Sequence, residues 1–389
     1  MNWHYICNML DMTNQRKKLK KETVAELWWR AAGRCEFNGC QKLLYKHGVT
    51  MQNCNLSNCA HIIAASPDGA RGKSELTPDQ RNDVSNIMLM CPECHRFIDH
   101  EGKDLYSVSQ LREMKKHHER RMEMLTGLKE DKQARIVTFG SKIGNAEPYF
   151  NEATLHDALL PEFYPSADGV IELGGNWYTP DNGWEQFWEE EEKSINFACQ
   201  NKILTTLPHW QKKRIALFAF APMPSLVKLG TILNNKHDVE VFQLMRGPAS
   251  WKWRNDDDVE FEIKRPENTF GIPVLVFSLS FPIGTRIRER FGDSGSIWEF
   301  TISKPDTNFL TSKRMLHKFC SEIEQLLDEI RRQTNKDELH VFMAMPVACA
   351  VELGRTWMQK PNMSLLLYDY DTRYSKEDQL AITIKNKNK

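Results

Sequence analysis

The chain has 389 residues, too many for one ordinary hydrophobic core, so two domains are expected. Its 52 Lys and Arg balance 52 Asp and Glu, which argues against a chain that binds polyanions over its whole surface. The balance is uneven, because residues 1–125 hold 19 Lys and Arg against 15 Asp and Glu, together with seven of the 12 histidines; this permits a nucleic-acid-facing N-terminal domain.

The opening stretch MNWHYICNMLDMTNQRKKLKK lacks the long apolar run and small-residue cleavage site of a secretory signal. Six of the ten cysteines fall between Cys35 and Cys94, where they read as metal ligands in a reducing compartment. The apolar runs IALFAFAPM and VFMAMPVACAV are short and broken by proline, so no membrane span is expected and a cytoplasmic location is.

In chain order, KETVAELWWRAAG has apolar residues near helical spacing and closes at Gly33. A cysteine-rich, loop-rich stretch follows to about residue 100. SVSQLREMKKHHERRMEMLTG then predicts a long charged helix stopped by Gly127, with His100, His117 and His118 expected on solvated helix faces. LKEDKQARIVTFGSKIGNAEP is polar and mixed, so the expected division is 1–128, a linker at 129–145, and a second domain at 146–389.

Within the first domain, Cys35-x4-Cys40 and Cys91-x2-Cys94 supply four thiolates from two knuckles, enough for a closed structural Zn²⁺ site. Cys54 and Cys59 compete for a place in it. His95 and Asp99, at i and i+4, project from one helix face and with open positions for water and phosphate oxygens suit Mg²⁺ or a similar ion. NCAHIIAAS puts His61 in an apolar stretch of strand character, and Asn86 precedes β-type residues leading into Cys91.

The order His61, Asn86, His95 between paired cysteines resembles the HNH, or ββα-metal, nucleases, and NIMLMCPECHRFID in particular resembles their zinc-containing members. The resemblance implies an α+β zinc-containing nuclease domain over roughly residues 25–125. It implies His61 as the general base, Asn86 as the holder of the His61 loop, and His95 with Asp99 as ligands of the catalytic ion. Arg71, Arg81 and Arg96 are candidates to grip DNA phosphates. Many HNH sites carry an acidic residue or histidine just before the base; here Ala60 stands there, so metal affinity without DNA is expected to be weak.

The second domain hides a repeat. LFAFAPMPSLVKLG at 217–230 aligns without a gap on VFMAMPVACAVELG at 341–354, matching Phe218 with Phe342, Pro222 with Pro346, Val227 with Val351, and Leu229-Gly230 with Leu353-Gly354. A strand-like run follows each copy, DVEVFQLMR or MSLLLYDYD, which predicts two α/β lobes with parallel strands related by a pseudo-twofold axis. Two helix N-termini at strand ends would suit a ligand with two phosphates and near-twofold symmetry, such as a cyclic dinucleotide. Pro222, Pro224, Pro346 and Ala348 would shape its pocket, Lys228 and Arg355 would supply charge, and Trp251 and Trp253 would stack on bases, with core packing the competing role for the two tryptophans.

These segments, with SWKWR, resemble a SAVED domain of two fused Rossmann-like (CARF-like) lobes. The pairing of HNH with SAVED resembles the endonuclease effector of CBASS anti-phage defence. That implies non-specific cleavage of double-stranded DNA, triggered by a cyclic dinucleotide from a cGAS-like nucleotidyltransferase through a ligand-induced homo-oligomer, dimer to tetramer. Two other functions fit the same residues: an HNH nuclease whose C-terminal domain reads modified DNA, and a zinc-dependent DNA-binding regulator with a vestigial nuclease site.

Overall fold

The computed structural model describes residues 19–143, 148–174, 183–210, 214–246, 249–254, 259–359 and 361–386. The segment weighed above as a leader therefore lies outside them through residue 18. The chain divides into two compact units, Met1–Leu128 and Lys129–Lys389.

In the first unit, helix α1 (Lys21–Arg30) precedes a cysteine-rich loop region. Strand β1 (Asn58–His61) pairs antiparallel with β2 (Ile87–Met90), setting His61 opposite Ile87. All four residues of β2 are buried, which is why an uninterrupted Ile-Met-Leu-Met run forms a strand at the centre of this small core. Helix α2 (Pro92–Asp99) follows at once, with Cys91 as its N-cap and Pro92 at its first position. Helix α3 (Val108–Thr126) starts in a Ser107/Gln110 capping box and turns Leu111, Lys115, His118 and Met122 inward. His118 is thus not on a solvated face: its Nε2 lies 3.0 Å from Ala31 O, with burial holding its pKa below the ordinary value.

The second unit begins where a linker was expected. Residues Gln133–Gly140 form β3, flanked on both sides by parallel partners, because the continuous run Ile136–Phe139 is buried on both faces, as a strand inside a parallel sheet requires. Around it lie α4 (Glu152–Leu159), β4 (Tyr164–Pro165), β5 (Ile171–Leu173), α5 (Trp184–Cys199), β6 (Ile215–Phe220), α6 (Met223–Leu233) and β7 (Val239–Phe242). These strands make one parallel sheet ordered β4-β3-β6-β7, with β5 also on β3.

A second sheet holds β8 (Phe261–Lys264), β9 (Ile272–Ser278), β10 (Gly295–Ile302), β11 (Glu338–Ala344), β12 (Ser364–Asp369) and β13 (Gln379–Ile384) in the order β13-β12-β11-β9-β10-β8. Its four inner strands are parallel and its two edges antiparallel. Helices α7 (Gly284–Phe291), α8 (Lys313–Thr334) and α9 (Val347–Thr356) belong to this lobe. Among the described residues no helix is long and apolar enough to cross a membrane.

The two copies of the repeat are β6-α6-β7 and β11-α9-β12, and their helices pack directly on each other. The contact is reciprocal. A Cβ on Gly230 would lie 2.1 Å from Val351 O, and one on Gly354 would lie 2.0 Å from Val227 O. The residues paired by the alignment are therefore the residues that meet across the crossing. One continuous core of buried apolar side chains runs through both lobes around this contact. Gly230→Ala should force the helices apart and destabilise the second unit by about 1–3 kcal/mol, the usual cost of overpacking, read as a drop in its thermal midpoint; an unchanged midpoint would mean the close approach is not needed.

Candidate functional site

The thiols of Cys35, Cys40, Cys91 and Cys94 lie within 4.8 Å of one another, and among the described residues no other group of three or more His, Cys, Asp and Glu side chains is placed to hold a metal. Cys40 Sγ and Cys91 Sγ are 3.9 Å apart. Sulfurs about 2.3 Å from a tetrahedral zinc lie about 3.8 Å from each other, so the spacing fits that ion. Cys54 and Cys59 stand apart from the quartet; Cys59 is on β1, where burial pushes its thiol up to about 11. Burial likewise pushes Cys35 up to about 12 and Cys94 upward. Cys91, although burial opposes it, is held below its ordinary value by hydrogen bonds, first from the Cys94 backbone. Thiols packed this tightly ionise together only beside a cation. Cys91 Sγ also accepts the Cys94 N–H at 3.4 Å, so one sulfur serves both the metal cluster and the start of α2.

Glu36, next to Cys35, secures the same corner. Its carboxylate accepts the Leu89 N–H of β2, and Lys115 Nζ lies 3.6 Å from its other oxygen. Burial pushes this carboxyl up to about 7 against the pull of Lys115.

His61 ends β1, and its Nε2 lies 3.1 Å from Oδ1 of Asn82. With that oxygen as acceptor, Nε2 is the donor of the pair. Asn82 escaped sequence reasoning because it lies 21 residues from His61 and no spacing signals the pair. Asn86 is buried and clamps the loop beyond His61 from both sides: Oδ1 accepts Ile63 N–H at 3.0 Å, while Nδ2 donates to Ile63 O and Arg81 O, each at 2.9 Å.

His95 and Asp99 share a face of α2, with Nε2 and Oδ2 3.2 Å apart. Burial would raise the Asp99 carboxyl, but His95 and Arg71 hold it below its ordinary value. The three candidate phosphate-gripping arginines separate. Arg81 is buried and donates to four carbonyls, those of Ala64, Gly72, Ser74 and Leu76. The Arg71 side chain is likewise turned inward, 8% exposed, donating to Ile62 O and Ile98 O at 2.8 Å and to Asp99 at 3.1 Å. Neither faces outward, because loops without regular structure need donors for their carbonyls. Arg96 remains exposed.

The predicted ligand residues of the second unit are not assembled into an open pocket. Pro222 and Pro346 are the N-caps of α6 and α9, and both are buried with Pro224 and Ala348. Polar side chains of the chain itself lie at both helix starts. Gln243 Oε1 accepts Ala348 N–H at 3.1 Å, and Ser225 Oγ donates to the buried Glu191 carboxylate at 2.9 Å. A third case is α7, where a Cβ on Gly284 would lie 2.2 Å from Glu299 Oε1. Burial would raise that carboxyl, but Ser278, Arg288 and Lys264 hold it low.

Trp251 is core: it stacks on Phe150 at 5.9 Å and meets Phe218 edge-on at 5.3 Å. Trp253 is partly buried against the same cluster. Arg355 reaches across to the other lobe, donating to Val239 O at 2.8 Å and to His237 O at 3.3 Å, so its charge is spent on joining the lobes. Lys228 pairs with Glu192 at 2.7 Å beside an open groove of about 1370 Å³ at the far end of α6.

Residues 201–379 match the family model of SAVED, the SMODS-associated and fused to various effectors sensor domain. The second unit thus contains a SAVED sensor domain. Among solved structures, an Acinetobacter baumannii Cap4 SAVED/CARF-domain containing receptor with the cyclic trinucleotide 2'3'3'-cAAA is 13% identical, with a TM-score of 0.44, over 79% of this chain and 64% of its own. A Moraxella osloensis Cap4 SAVED/CARF-domain containing receptor is 10% identical, with a TM-score of 0.38, over 81% of this chain and 71% of its own. The chain therefore spans less than two thirds of the A. baumannii receptor. No curated protein sequence matches the chain.

Two outcomes follow from the buried groups. Cys94→Ser should abolish a stoichiometric zinc measured by mass spectrometry of the metal, whereas Cys54→Ser and Cys59→Ser should keep it; retention in Cys94→Ser would remove the quartet as its holder. Burial pushes the Glu191 carboxyl up against hydrogen bonds from Ser141 and Ser225. A raised folded pKa gives stability that is present at low pH and lost as pH rises through it. Glu191→Gln should therefore stabilise the second unit at neutral pH, with the gain vanishing toward about pH 4, the ordinary carboxyl range; urea unfolding across pH checks this.

Proposed function

We propose that this chain is a metal-dependent endonuclease of double-stranded DNA, switched on by a cyclic oligonucleotide at its SAVED domain in bacterial anti-phage defence. The observation that carries the nuclease half is the Asn86 clamp. It fixes the backbone two residues after His61, on a two-strand, one-helix arrangement whose helix bears His95 and Asp99. SAVED domains sense cyclic oligonucleotides in CBASS, and that gives the second half of the reading.

His61 takes the proton of the attacking water, its ring oriented by the 3.1 Å contact of Nε2 with Asn82 Oδ1. His95 and Asp99 would hold the divalent ion, Mg²⁺ in the cell, leaving the rest of its shell to water and phosphate oxygens. When bound, that ion stabilises charge on the phosphoryl and leaving oxygens. Arg96 is the exposed cation beside them for a flanking phosphate. Ligand binding favours an assembled homo-oligomer, and assembly brings nuclease sites to both strands. A cyclic dinucleotide made by a cGAS-like nucleotidyltransferase is the messenger this reading favours.

The test is plasmid degradation with Mg²⁺, with and without a panel of cyclic di- and trinucleotides, beside His61→Ala. Cutting should need one ligand and fall by a factor on the order of 10²–10⁴ in the variant, the usual worth of a general base. Equal cutting without any ligand would detach the SAVED domain from control of the nuclease.

A further inference from the structure

We propose that Arg71 is the positioning residue of the metal site: its guanidinium holds Asp99 so that one carboxylate oxygen only is presented to the ion shared with His95. The inference rests on the nuclease reading above. All three guanidinium nitrogens are used. Nε donates to Ile62 O, the residue after His61; Nη1 donates to Ile98 O; Nη2 donates to Asp99 Oδ1. One inward-turned side chain therefore ties the end of the His61 strand to the metal-facing end of α2.

The geometry at Asp99 gives this tie its chemical meaning. With Oδ1 taken by Arg71, Oδ2 pairs directly with His95 Nε2 at 3.2 Å, a contact that a bound ion would replace. Neighbouring ligands about 2.1 Å from an octahedral ion lie about 3.0 Å apart. Oδ2 and Nε2 thus already have the spacing of two adjacent ligands on one ion, while Oδ1 is withheld from a second bond to it. A partner that hydrogen-bonds a metal ligand commonly changes metal affinity by about 10–100-fold. Lysine cannot replace it, since a single ammonium cannot reach three acceptors in the fixed fork of a guanidinium.

Arg71 also has a backbone φ of +55°, a conformation that a residue with a side chain adopts only at a cost. Such a cost persists where the surroundings over-determine the position. Arg81 supplies the contrast: its acceptors are all loop carbonyls, and it touches neither His95 nor Asp99.

The experiment titrates Mn²⁺ into the full-length, zinc-loaded protein and follows the free ion by electron paramagnetic resonance. In the presence of a phosphorothioate DNA duplex that resists cleavage, wild type should bind one Mn²⁺ that is lost in His95→Ala; absence of that ion even with the duplex would sink the nuclease reading and the inference with it. Given that ion, Arg71→Lys and Arg71→Gln should weaken its binding by about 10–100-fold. Unchanged or tighter binding in a folded variant would overturn the role of Arg71 while leaving the nuclease reading intact. Infrared difference spectra of the wild type with labelled aspartate keep the idea testable if neither variant folds. The wide splitting of a carboxylate bound through one oxygen supports it, and the narrow splitting of a two-oxygen ligand overturns it.

Discussion

The second unit depends on one steric constraint, the approach of two helix backbones at Gly230 and Gly354. Each glycine accommodates a carbonyl of the other helix, so neither can gain a side chain without moving both lobes. Close backbone approach lets the surrounding aliphatic side chains interdigitate at short range, which is where dispersion and burial are largest. The core spans two sheets because these helices sit between them. Arg355 and Gln243 reinforce the junction with polar bonds from one lobe to the other. Both sheets are thereby referred to a single shared axis.

The first unit solves a different problem. It has a two-stranded sheet and long loops, so many backbone carbonyls lack ladder partners. Arg71 and Arg81 supply seven hydrogen bonds between them, six to carbonyls and one to Asp99. The cysteine quartet joins residues 51 positions apart where apolar contacts are few. Polar side chains and metal-type ligands do here what aliphatic packing does in the SAVED domain.

Sequence revealed the parts of this molecule that have local spacing. The cysteine pairs, the i, i+4 placement of His95 and Asp99, and the ungapped repeat were all visible, and the repeat even named the residues that meet at the helix crossing. What escaped was set by partners remote in sequence. Arg71, Arg81 and Arg355 read as available charge because nothing in a sequence marks a cation whose acceptors are backbone carbonyls remote in the chain. Trp251 could have served either role, and only Phe150 and Phe218 decide it for packing. The strand Gln133–Gly140 was hidden by polar neighbours on both sides, since its burial comes from flanking strands more than 25 residues away. At the start of α9 the Ala348 N–H is already taken by Gln243, and beside α6 the buried Glu191 takes the Ser225 hydroxyl; no motif announces either partner.

The position of the cysteine pairs has a consequence for how the chain matures. Cys35 and Cys40 precede, and Cys91 and Cys94 follow, the whole stretch that carries β1, His61, Asn82 and Asn86. An ion held by the quartet would close a loop around that stretch, adding its bonds to the hydrogen bonds already made within it. During synthesis the second pair emerges last, at the very start of α2. With an ion held by the quartet, the stretch between the two pairs would be closed at both ends only after the second pair has left the ribosome.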